Sequence, residues 1–186
     1  MSNLEFFFDC SSPWTYLAFE AVQPVAARHG IAVRWRPILV GGIFNTVNPT
    51  VYAAREKPLA VKARYQRKDL ADWARHQGLE IGDPDVFPVN SVRAMRAMLL
   101  ADDRGRLVDL ARRVFRAYWS ENRDISRAEV LREVLADVGL PADEFLEGTE
   151  HPDVKQRLRR NTDELIARGG FGSPTLFVDG ADMYFG

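Results

Sequence analysis

Ser12 stands out as a residue that could do chemistry because of what lies on either side of it. The apolar run Phe6-Phe7-Phe8 stops at Asp9, and Ser12-Pro13 then opens an amphipathic stretch. This is the pattern of a buried strand running into a helix start. The first turn of a helix presents unpaired N–H groups and a partial positive charge, so it favours a bound anion, a thiolate included. A hydroxyl placed there can donate a hydrogen bond to that anion. Serine before proline is also a common capping pair, and from this stretch alone a purely capping Ser12 is the plainer reading. A second stretch shifts that balance. In Gly170-Phe171-Gly172-Ser173-Pro174-Thr175-Leu176-Phe177-Val178-Asp179-Gly180, a glycine-rich loop leads into Ser-Pro, then a short β-prone run, then a turn.

Together the two stretches resemble the thioredoxin superfamily, in which a first strand leads to an active-site helix start and a cis-proline loop enters a later strand facing it. In the disulfide-oxidoreductase branch the helix start reads Cys-Pro-x-Cys. Here the register holds Ser12-Pro13-Trp14-Thr15, with hydroxyls where both sulfurs would be. This is similar to the DsbA-like 2-hydroxychromene-2-carboxylate isomerases and their relatives, the kappa-class glutathione transferases. The resemblance implies glutathione as cofactor, with Ser12 as the catalytic residue that stabilises its thiolate. It sets Ser12-Pro13 at the sulfur and counts Ser12, Pro13 and Trp14 among the cofactor-binding residues. Ser173, before a cis Pro174, would present its backbone to the cysteinyl unit. Asn48 and Lys62 would also reach glutathione, and Asn45 and Asn90 would face the substrate. Beside these stand plainer readings: Asn48 as a turn residue, Lys62 as a solvated helix charge, Asn90 or Ser91 as a helix cap. Trp14, Phe44 and Trp35 are candidates for an aromatic pocket.

A free cysteine thiol titrates at about 8.5, so lowering that value at the helix start is the chemistry to expect of Ser12. The resemblance implies glutathione-dependent isomerisation of 2-hydroxychromene-2-carboxylate to trans-o-hydroxybenzylidenepyruvate, a step of aromatic catabolism. The thiolate adds to an enone carbon, the new single bond rotates, and expulsion regenerates glutathione. A kappa-class-like transferase, which releases a thioether, is the nearest alternative. A non-catalytic thioredoxin-fold binding module is the alternative of a different class. The resemblance further implies a homodimer acting on a small aromatic substrate. It also implies a strand, a closing helix and the grip on the γ-glutamyl carboxylate beyond Gly186.

Other residues offer less. Cys10 is the only cysteine, so no internal disulfide can form and a reducing, cytoplasmic setting is expected. Cys10-Ser11-Ser12-Pro13 is no CxxC pair, and a lone cysteine usually behaves as a small buried hydrophobe. His29, His76 and His151 lack metal-ligand spacing, so no metal is expected. The formal net charge of −1 gives no reason to expect nucleic acid or an acidic membrane as partner. Arg104, Arg106, Arg112, Arg113 and Arg116 read as a solvated helix face. Phosphate loops of the GxGxxG or GxxxxGK[ST] type are absent.

The elements that must position these residues are an α/β set. Residues 4–8 read as a strand, 13–29 as a helix that Pro24 kinks or breaks, and 31–36 as a half-buried strand, together a right-handed βαβ unit. Residues 37–58 are punctuated by Gly, Pro and Asn and read as irregular. From 59 to 169 the pattern is helical, with candidates at 61–77, 91–102, 105–120, 141–145 and 152–167. Ser126-Arg127-Ala128-Glu129 is a capping-box pattern opening another. The expected architecture is a thioredoxin-like fold of residues 1–40 and 169–186, with a helical domain, 41–168, inserted between the βαβ unit and the C-terminal strands.

Overall fold

The computed structural model describes residues 3–186, apart from the side chain of Arg55. Strand β1 (Leu4–Phe8) is buried along its whole length, as expected of a central strand covered on both faces. Strand β2 (Val33–Pro37) pairs with it in parallel, Phe6 opposite Trp35. On its other side β1 pairs antiparallel with β3 (Thr175–Val178), and β3 with β4 (Asp182–Phe185), giving the order β2-β1-β3-β4. The hairpin between β3 and β4 turns at Asp179 and Gly180, whose φ values of 50° and 77° are both positive. That double left-handed turn matches the twist of the strands, and an Asp-Gly pair adopts it readily.

Helix α1 (Pro13–Arg28) joins β1 to β2. It runs through Pro24 without breaking, contrary to expectation. Pro24 lies on the solvent side, where water can satisfy the carbonyl that lost its donor. Residues 37–58, expected to be irregular, contain α2 (Val40–Val47) and α3 (Thr50–Glu56). The reason is tertiary: the Leu39 and Val40 amides at the start of α2 donate to Thr162 Oγ1 and Asp9 Oδ2, partners that no local pattern shows. Helices α4 (Ala60–Gln77), α5 (Val92–Asp102) and α6 (Leu107–Phe115) follow, and α6 continues into a π-helical turn, Arg116–Ser120. Then come α7 (Ala128–Asp137), α8 (Ala142–Gly148) and α9 (Pro152–Ala167). The capping box does not form: the Ser126 hydroxyl donates to Asp124 Oδ1 at 2.6 Å, and α7 begins at Ala128 with no side-chain cap.

Helices α2 to α9 are thus inserted between β2 and β3. They share their core with the sheet. On one face, Phe6 and Phe8 pack with Phe19 of α1, Met95 of α5 and Phe115 of α6. Tyr16 stacks on Phe115 with ring centres 5.0 Å apart and planes 2° from parallel. Trp35, half-buried, packs against Phe6 and Phe19, at 5.2 and 4.9 Å, and lines a cavity beside β2 and α9. On the other face Phe7 meets Ile43 of α2, Leu165 of α9 and Phe177. Buried Glu5 is paired there with Arg168 at 2.8 Å.

Candidate active site

The chain leaves β1 at Asp9 and turns back through a bond from the Ser12 amide to the Asp9 carbonyl, 3.4 Å. Ser12 sits at the cap of α1 in an extended conformation (φ −111°, ψ 126°), with Pro13 in the first turn. Its Oγ accepts the Thr15 amide at 3.2 Å, so it is a working helix cap. The same Oγ donates to the Ser173 carbonyl, also at 3.2 Å. The Ser173–Pro174 bond is cis.

Ser173 is tied in by its side chain as well. Its buried Oγ accepts the Asp9 amide at 2.9 Å and lies 2.8 Å from Thr15 Oγ1. The two hydroxyls of the Ser12-Pro13-Trp14-Thr15 register therefore differ. Thr15 is fully buried and engaged with Ser173. Ser12 is only partly buried and lines a cavity of about 770 Å³. No acidic residue stands in the first turn of α1 to offset its partial positive charge.

The cavity brings together Ser12, Pro13, Trp14, Asn48 and Ser173. Asn48 Nδ2 donates to the Phe171 carbonyl at 3.2 Å, tying the end of α2 to the glycine-rich loop. Pro174 is buried directly behind Ser173. Lys62 is exposed on α4, outside the cavity lining, and the cation that α4 contributes there is Arg67. Sequence reasoning missed Arg67, although Ala63, Gln66, Arg67 and Leu70 follow helical spacing and all line the cavity. Asn45 is exposed and its Oδ1 accepts the Tyr52 hydroxyl at 2.7 Å, away from the cavity lining. Asn90 lines a smaller neighbouring cavity of about 270 Å³, and its Oδ1 accepts the Val92 amide at the start of α5. Ser11, Val40, Phe44 and Phe87 line both cavities.

Two titratable groups lie behind Ser12. The Cys10 thiol is fully buried, and burial, with the neighbouring Asp9 charge, pushes it well above the ordinary thiol value. Cys10 is thus a neutral core residue; its carbonyl accepts Trp119 Nε1 at 2.9 Å. Asp9 is buried too, and its carboxyl is raised by desolvation against the pull of hydrogen bonds from Ser11, Val40 and Ser91. The arrangement offers an anion a helix start and a hydroxyl in a partly apolar cavity, and beside them the Ser173 carbonyl as an acceptor for a ligand N–H.

The family model for the DSBA-like thioredoxin domain matches residues 3–186. Over 184 residues the chain is 26% identical to glutathione S-transferase kappa 2 of Caenorhabditis elegans, covering 94% of this chain and 80% of that one. Over 177 residues it is 26% identical to a 2-hydroxychromene-2-carboxylate isomerase of Sphingobium xenophagum, covering 95% and 89%. Among solved structures, a 2-hydroxychromene-2-carboxylate isomerase superposes with a TM-score of 0.82 at 24% identity, covering 98% of this chain and 88% of that one.

Proposed function

Because this chain belongs to the DSBA-like thioredoxin domain family, we propose that it is a glutathione-dependent enzyme that isomerises 2-hydroxychromene-2-carboxylate to trans-o-hydroxybenzylidenepyruvate. The observation that carries this reading is the Ser12 hydroxyl, held at the start of α1 and against the Ser173 carbonyl on the wall of the 770 Å³ cavity. A volume of that size suits a small-molecule site. The donor set fits a peptide thiol: Ser12 Oγ for the sulfur, the Ser173 backbone for the cysteinyl unit, and Arg67 and Asn48 for its polar ends.

Bound glutathione supplies a thiolate nucleophile. The work of the chain is to keep that sulfur ionised and aligned. Ser12 would turn its O–H from the Ser173 carbonyl toward the sulfur as a hydrogen-bond donor, the proton staying on Oγ, and α1 would add its partial positive charge. The released Ser173 carbonyl can then accept an N–H from the ligand backbone, in strand-like pairing. Phe44 and Phe87 wall the cavity on the side where an aromatic substrate would sit. The reading takes in a cytoplasmic homodimer without nucleic-acid or membrane partner; among the described residues no helix is long and apolar enough to cross a membrane.

A kappa-class-like transferase is the second reading, favoured by the equal 26% identity to a kappa-class relative. One experiment separates the two: incubation with glutathione and 2-hydroxychromene-2-carboxylate, following product and free thiol together. Isomer formed at constant thiol supports the isomerase. Thiol lost one-for-one with an electrophile supports the transferase. Neither change, with glutathione unbound, would leave a binding module.

A further inference from the structure

Asp9 is used by neither reading above, yet it is the residue on which the walls of the site converge. Its backbone faces the thiol side: the amide donates to Ser173 Oγ and the carbonyl accepts the Ser12 amide. Its side chain faces the other side. Oδ1 accepts the Ser11 amide at 2.9 Å. Oδ2 accepts the Val40 amide at the start of α2, 2.9 Å, and the Ser91 hydroxyl before α5, 3.1 Å. Asp9 is 1% exposed, and among the described residues no cation pairs with it. The titratable neighbours that feel its charge, Cys10 and Tyr118, are both raised and so neutral at pH 7.

A buried carboxylate held only by neutral donors is costly to keep in a fold. A capping role for α1 does not explain it, since Ser12 already caps that helix. What distinguishes Asp9 is the smaller cavity, which it lines together with Val40, Asn90, Ser91 and the aromatic walls Phe44 and Phe87. Both walls tied to its carboxylate, α2 and the segment before α5, border that cavity, and neither is tied to it by the Asp9 backbone.

We propose that Asp9 is a positioning residue whose carboxylate fixes α2 and the segment before α5 relative to Ser12, and so fixes where the aromatic electrophile lies against the bound thiol. This inference rests on the proposed glutathione-dependent function. It divides one residue between two substrates: the backbone serves the thiol side and the side chain serves the electrophile side.

The test is Asp9→Asn, which keeps the shape but offers N–H groups where Val40 and Ser91 need an acceptor, with Ser91→Ala as a milder variant that removes one of the three donors. Glutathione affinity is read by calorimetry, and KM and kcat with 2-hydroxychromene-2-carboxylate by steady-state kinetics on folded protein. The expected result is glutathione affinity close to wild type. KM for the chromene should rise roughly tenfold or more in Asp9→Asn, the scale of a misplaced wall, and shift in the same direction in Ser91→Ala. A purely structural Asp9 would lower the melting temperature and leave KM of the remaining folded enzyme unchanged, and that result overturns the inference. A wild-type protein that neither binds glutathione nor turns over the chromene would instead sink the proposed function, and the inference with it.

Discussion

Ser12 Oγ lies 3.2 Å from the carbonyl oxygen of Ser173, across 161 residues of chain. One hydroxyl thereby caps α1 and closes that helix start onto the cis-proline loop. The bond also sets a competition, because the proton that Ser12 gives to Ser173 is the one a bound thiolate would need. Ligand binding and the resting contact are alternatives at a single oxygen.

Ser12→Ala should therefore have two separable effects. Loss of the cap bond to Thr15 should destabilise the protein by about 1 kcal/mol, measurable by urea denaturation. Turnover of the folded fraction should fall much further, since thiolate stabilisation is lost from the reacting atom. Equal losses in stability and turnover would mean that Ser12 only caps.

Thr15→Val should behave the opposite way. Thr15 Oγ1 and Ser173 Oγ form a buried pair at 2.8 Å, and removing one partner should cost about 1–2 kcal/mol. Turnover per folded molecule should stay near wild type. A large fall in kcat with unchanged stability would move the chemistry from Ser12 to Thr15.

Arg67 and Lys62 make a paired test on α4. Arg67 lines the large cavity and Lys62 does not. Arg67→Gln should weaken glutathione binding roughly two- to fivefold, the scale of an exposed charge contact. Lys62→Gln should leave it unchanged, as read by calorimetry. The reverse result would restore Lys62 as the contact.

Asp9 gives a stability prediction with a definite sign. Burial raises its carboxyl in the folded state above the ordinary value of 3.8. As pH rises through 3.8 the unfolded chain loses this proton first, so unfolding becomes easier until the folded group also ionises. The stability of wild type relative to Asp9→Asn should thus be greatest below about pH 4 and fall as pH rises above it. Urea denaturation of both proteins between pH 3 and 7 checks this; a difference that grows in favour of wild type with pH would contradict it.

Cys10 should resist a thiol reagent in the native protein. It is fully buried and its thiol is raised well above the ordinary value, so labelling should proceed only at the rate of unfolding. Fast labelling of one thiol per chain would place Cys10 in reach of the cavity.

The local signals in the sequence were those whose partners are also local. The aromatic run of β1 and the Ser12-Pro13 start of α1 depend on neighbours within a turn. Helix α2 was illegible because Gly41-Gly42 weakens local helix propensity, while the acceptors that secure its start lie on Asp9 and Thr162. Asp9 itself read only as the end of a strand, since its side chain is defined by Val40 and Ser91, 31 and 82 residues away. The Ser126 capping box failed for a nearer reason, a competing acceptor at Asp124. Trp35 alternates as a half-buried strand residue should, but the pattern could not say that its ring would meet Phe19.

The most direct measurement is the ionisation of glutathione on the protein, followed by thiolate absorbance against pH for wild type and Ser12→Ala. The account predicts a bound thiol below the free value of about 8.5 in wild type and a clearly higher one in Ser12→Ala. The same titration in both proteins, or no saturable glutathione binding to wild type, would contradict it.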